Sequence, residues 1–155
     1  MEQAEHDTKE NEEMTNAEND MPKHRTLSQK NEYHLPKETF LMVIHFCKQY
    51  PDWERELEVL SDSSKGISYD QERVQATNDS DPTSDLAVKR AAISRKKDMI
   101  DQVAKEVGGS LWEWLILGAC YDHPYYYLAQ RGIPCGKDLY YKIRRQFFFE
   151  IAKKV

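Results

Sequence analysis

Cysteine is scarce in this chain. There are three, Cys47, Cys120 and Cys135, widely spaced and with no Cys-x-x-Cys pair. That argues against a disulfide framework or a zinc finger, and for a reducing compartment. The five histidines are scattered with no metal-ligand spacing, so no metal is expected. No run approaches the roughly 18 apolar residues that span a bilayer, which predicts no membrane association. The N-terminus is acidic and polar with no apolar stretch, which predicts no signal peptide. Paired carboxylates in a plausible cleft, a Cys-His pairing and a Gly-rich phosphate loop are all missing. The expectation is therefore a protein that is not an enzyme and carries no cofactor. Alternating strand patterns are missing too, and the predicted fold class is all-α.

What is present is an uneven charge. The 155 residues carry a net charge of −5, with 32% charged and 39% hydrophobic residues. Residues 124–155 hold seven Lys/Arg against Asp138 and Glu150, a net of +5, which leaves −10 for residues 1–123. A basic C-terminal segment on an acidic protein points to a polyanionic partner.

Residues 1–34 contain almost no core formers beyond Leu27 and Tyr33, and read as a disordered acidic leader. Order is expected from Leu35-Pro36, with Phe40, Val43, Ile44 and Cys47 at helical spacing. Tyr50-Pro51 breaks that helix and opens a second carrying Trp53, Leu57 and Leu60, giving a helical hairpin over 35–61. His45, on the apolar side of the first helix, is expected to be an interior histidine. Residues 62–80 read as a flexible linker, and 81–155 as a long helix followed by the basic segment. Asp81 or Ser80 can cap that helix, with Pro82 in its first position. Gly108-Gly109 ends it. Ser110 and Glu113 suit a capping box for the next helix, whose Leu111, Trp112, Trp114, Leu115, Ile116 and Leu117 imply burial on nearly every side.

The C-terminal segment has the layout of a helix-turn-helix. Pro124 opens a short tyrosine-rich helix, Gly132 suits its left-handed end, and a second helix follows at about 136–154. Leu139, Ile143, Phe147 and Ile151 at i+4 steps are read as the buried stripe, with Cys135 at the capping place. Lys137, Asp138, Tyr141, Lys142 and Arg145 then fall outward, with Arg144 at the flank. Lys137, Asp138 and Tyr141, at the N-terminal end, are candidates for base readout; Arg144 and Arg145 are candidates for phosphate contacts. Gln130 and Arg131, ending the first helix, complete the candidate DNA-binding set.

The stretch from Gly132-Ile133-Pro134-Cys135 through Leu139-Tyr140-Tyr141-Lys142-Ile143-Arg144-Arg145-Gln146-Phe147-Phe148 resembles the end of phage transcriptional regulators of the ArpU/RinA type. Tyr50-Pro51-Asp52-Trp53 and Asp81-Pro82-Thr83 resemble that family's earlier parts. The resemblance implies a helix-turn-helix like region 4 of bacterial sigma factors, with Cys135 in the helix-capping place. It places Leu139 and Ile143 in the core and Lys137, Asp138, Tyr141 and Arg145 towards DNA. It also implies a phage or prophage regulator in the cytoplasm of a bacterial host, with double-stranded DNA and RNA polymerase as partners. A homodimer is expected from the symmetry usual among such regulators. The alternative reading is a helical interaction module, such as a phage assembly or packaging subunit, that uses the long helix and does not bind specific DNA sequences.

Overall fold

The computed structural model describes residues 27–65 and 82–155, and these contain helices and turns with no strand. The chain is all-α. The proposed caps Ser80 and Asp81, residues 1–26 and most of the expected linker lie outside the described residues.

Residues 27–34 fold as turns. His34 Nδ1 lies 2.8 Å from the Leu27 carbonyl, and the Tyr33 ring meets Phe149 edge-on at 5.8 Å. Packed structure thus begins before Leu35, inside the stretch read as a disordered leader. Helix α1 spans Lys37–Lys48 and buries Val43, Ile44 and Cys47. Pro36 precedes it as the N-cap residue, and its carbonyl accepts the first helical bond from Phe40 N–H at 2.9 Å. His45 is exposed, not interior: Val43, Ile44 and Cys47 define the buried arc, and position 45 falls outside it.

Helix α2, Tyr50–Lys65, follows after Gln49 alone. Pro51 sits at its second position, where no intrahelical N–H bond is lost. Tyr50 and Trp53 are buried. Helix α3, Pro82–Gly108, has 27 residues and is about 40 Å long. Pro82 takes its first position, as the sequence predicts. Its two halves differ: residues 83–92 are exposed, while Ile93, Ile100, Val103 and Ala104 enter the core.

A short 3-10 turn, Gly109–Leu111, leads to α4, Trp112–Ala119. No side chain caps either element, so the Ser110–Glu113 capping box does not form. Helix α4 buries Leu115, Ile116, Gly118 and Ala119 but leaves Trp112, Trp114 and Leu117 half-buried, and the element in the centre of the packing is not α4 but α3, which meets α2, α4 and the Lys137–Ala152 helix. The Cys47 and Cys120 thiols meet in the core. Hydrogen bonding to Cys47, then burial, pushes the Cys120 thiol well up, so it stays protonated.

The corner after α4 places Asp122 at φ 58°, a conformation that Asp tolerates better than most residues, and Lys48 holds its carboxylate at 2.8 Å. Helix α5, Tyr125–Gln130, and helix α6, Lys137–Ala152, complete the chain. Helix α6 packs across α3 and α1, and Phe148 meets Phe40 of α1 edge-on at 5.8 Å. One polar network ties the hairpin to the rest. The Tyr50 hydroxyl donates to Asp101 at 2.7 Å, Lys97 reaches the same carboxylate at 2.9 Å, and the Tyr121 hydroxyl donates to Glu54.

Candidate nucleic-acid interface

The turn between α5 and α6 is fixed by backbone bonds. Gly132, at φ +88°, ends α5 in the left-handed region. Its N–H donates to the Ala129 carbonyl and Ile133 N–H donates to Leu128, each at 3.1 Å. This paired arrangement is the Schellman motif, and its apolar contact is present, because Ile133 and Leu128 are both buried. The Tyr125 hydroxyl donates to the Cys135 carbonyl at 2.7 Å and fastens the far end of the turn to α5. The Tyr127 ring stacks on His123, with ring centroids 4.1 Å apart, and the Arg131 guanidinium lies 4.6 Å from its centroid. The connection 131–136 has six residues, against three or four in a compact helix-turn-helix.

Gly136, not Cys135, is the N-cap residue of α6, and no side chain caps the helix. The first-turn N–H groups are therefore open, and they add to the positive field at this end.

Helix α6 is rotated from the orientation its apolar spacing predicts. Leu139 is 51% exposed and Tyr140 only 2%. The buried stripe is Tyr140, Phe147, Phe148 and Ile151, with Ile143 half-buried. The cause lies on α4. Gly118 leaves a notch that Tyr140 fills so closely that a Cβ there would stand 1.7 Å from the hydroxyl oxygen. An aromatic ring removes more apolar surface from water than leucine does, so Tyr140 takes the inward place. Its hydroxyl is buried without a partner, and burial, opposed by Arg144, pushes its pKa up to about 12.

The eight candidate residues separate into two groups. Gln130, Arg131, Lys137, Asp138 and Lys142 are exposed. Gln130 Nε2 donates to the Tyr126 hydroxyl at 2.8 Å. Tyr141, Arg144 and Arg145 are half-buried. The Tyr141 ring lies 5.3 Å from that of Tyr140 and 6.4 Å from that of Tyr125. The Arg144 guanidinium sits 5.1 Å over Phe148, and both arginines turn towards a cavity roofed by residues 27–35. The rotation thus moves Arg144 and Arg145 off the outer surface.

Arg131, Lys137 and Lys142 face no carboxylate among the described residues. Four lysines elsewhere are neutralised, Lys48 by Asp122, Lys89 by Glu56, Lys97 by Asp101 and Lys153 by Glu150, whereas Lys30, Lys37, Lys96, Lys105 and Lys154 share with the trio the lack of an acidic partner among the described residues. Among the described residues, no three His, Cys, Asp or Glu side chains group to hold a metal ion, and no helix is long and apolar enough to cross a membrane. No family model, curated protein or solved structure matches the chain.

Proposed function

We propose that the chain binds double-stranded DNA as a transcriptional regulator of phage or prophage type, with the N-terminal half of α6 entering the major groove. The observation that carries this reading is the exposed trio Arg131, Lys137 and Lys142, without acidic partners among the described residues and set around a turn locked by backbone bonds. Cations left without acids beside a rigid turn suit phosphate contacts, and the uncapped start of α6 offers further N–H donors. Asp138 and Lys142, on that exposed face, are the base-reading candidates, and Gln130 and Arg131 reach for the backbone. Arg144 and Arg145 have no part in this reading. Bacterial cytoplasm as location, and RNA polymerase as partner, belong to the same proposal.

The test is a duplex selection followed by a gel shift. Arg131→Ala, Lys137→Ala and Lys142→Ala together should weaken binding by about 100-fold or more at moderate salt without changing the circular dichroism. The slope of log affinity against log salt should become shallower by about 0.9 for each phosphate that is no longer neutralised. Unchanged binding by the triple variant sinks the proposal.

A second reading has its own observation. Val59 on α2 and Leu86 and Val88 on α3 are 65%, 47% and 67% exposed. Such residues suit an assembly subunit that pairs through these helices, and that pairing would be insensitive to salt.

A further inference from the structure

Beneath residues 27–35, α6 lines a cavity of about 220 Å³. Leu27, Tyr33, Leu35 and Phe40 line it from outside α6, and Tyr141, Arg144, Arg145 and Phe148 line it from one face of α6, with the Arg144 guanidinium over the Phe148 ring. The Nε–H groups of Arg144 and Arg145 are both shielded from solvent and have no hydrogen-bond acceptor. Neither guanidinium has a carboxylate partner among the described residues. By contrast, Arg55 on α2 is paired with Asp52.

Two adjacent cations facing one apolar chamber repel each other, and a shielded donor without an acceptor is costly. A bound anion relieves the repulsion. A carboxylate accepts hydrogen bonds from the outer Nη–H groups of the two guanidinium ions, while their Nε–H groups stay shielded. The volume sets the rest of the ligand: a cavity of roughly 150 Å³ holds benzene, so this one holds a ring with a short acidic arm.

We propose that this cavity is a binding site for a small organic carboxylate with an apolar, ring-sized body. Arg144 and Arg145 hold the carboxylate, Phe40 and Phe148 take the ring, and the 27–35 segment roofs the site. The proposal does not depend on what the outer face of α6 binds.

The experiment is a titration of the full chain with 3-phenylpropionate, followed by NMR. Saturable shifts at Leu35, Phe40, Tyr141 and Phe148 are expected. Two probes run beside it: 3-phenylpropanamide, which keeps the ring and removes the charge, and inorganic phosphate, which keeps charge and removes the ring. Each should bind about tenfold or more weakly. Arg144→Gln with Arg145→Gln should weaken the acid by a similar factor, and Leu35→Trp should block it by filling the chamber. The site is refuted if the acid produces no saturable shift up to about 10 mM. It is refuted equally if amide or phosphate binds as well as the acid. The probe comparison uses the unaltered chain, so it decides the matter even if the arginine variant does not fold.

Discussion

The two halves of α6 carry the same kind of residue in opposite settings. In the first half, Lys137 and Lys142 stand in solvent with no acid beside them among the described residues. Only two residues after Lys142, Arg144 and its neighbour Arg145 lie under residues 27–35, with their Nε–H groups shielded from water. Nothing local separates these positions, since all four are cations on one helix. What separates them is a segment more than a hundred residues earlier, together with a glycine on α4 that sets the rotation of the helix. Whether a cation is a surface feature here is decided by long-range packing.

The largest effect should come from breaking that rotation. Gly118→Ala puts a Cβ on the Tyr140 hydroxyl, and α6 must move off α4 to accept it. Overpacking of this kind costs about 1–3 kcal/mol, and this site should lie at the upper end because both neighbours are buried. Urea unfolding measures it. Adding Tyr140→Phe removes the clashing oxygen and should return part of the loss, so the two substitutions should be non-additive by about 1 kcal/mol. Simple additivity would mean that Gly118 does not set the position of α6.

Next comes the contrast between the two cation groups. If the outer face binds duplex DNA, Arg131→Ala with Lys137→Ala and Lys142→Ala leaves three phosphates without their cations, and affinity should drop by about 100-fold or more at moderate salt. Arg144→Gln with Arg145→Gln should leave the affinity within about twofold and the salt slope unchanged. Equal drops in both variants would erase the distinction between the halves, and would return Arg144 and Arg145 to the DNA-facing set.

Several boundaries of these elements were legible in the sequence, but the helix Tyr50–Lys65 runs four residues into the expected linker, packed structure starts inside the expected leader, and the rotation of α6 was not legible. Pro36, Pro82, Gly108-Gly109 and Gly132 act through their own backbone chemistry, which needs no knowledge of the rest of the fold. Val43, Ile44, Cys47 and Trp53 were also readable, because their helices bury one plain arc. Helix α6 offers two overlapping stripes. Leu139-Ile143-Phe147-Ile151 is the more regular, but Tyr140-Phe147-Phe148-Ile151 is the one with a notch to fill. The notch is Gly118, which by itself reads as an ordinary residue of an apolar helix. The roof was hidden for a related reason. Leu27 and Tyr33 are two apolar residues in a polar stretch, too few to signal order without Phe149 and the cavity to receive them. The candidate site was therefore half legible: Gln130, Arg131, Lys137, Asp138 and Lys142 stand where periodicity puts them, while Tyr141, Arg144 and Arg145 depend on the roof.

A smaller effect sharpens the comparison from the roof's side. Tyr33→Ala removes the edge-on packing against Phe149, worth about 0.5–1.5 kcal/mol for an aromatic pair. Amide exchange should speed up in residues 144–152 and stay unchanged around 137–142. Uniform loosening of α6 would mean that the roof supports the whole helix and not its second half alone.

The smallest effect at neutral pH belongs to Tyr140→Phe, and it changes with pH. The hydroxyl is buried without a partner, so its removal should leave stability within about 1 kcal/mol of the parent or raise it slightly at pH 7. Burial raises the folded-state pKa to about 12, from 10.0 for the free side chain. A raised pKa means that the folded state holds its proton longer than the unfolded chain does. The stability linked to that proton is fully present below pH 10 and is lost as pH rises towards 12. Tyr121, also raised to about 12 by burial and its bond to Glu54, loses stability over the same window in parent and variant alike. The parent should therefore melt progressively lower above pH 10, and Tyr140→Phe should fall less steeply by the share that Tyr140 contributes. Parallel melting curves for the two proteins across that window would show that the Tyr140 hydroxyl reaches water, and that the Gly118 notch is not closed.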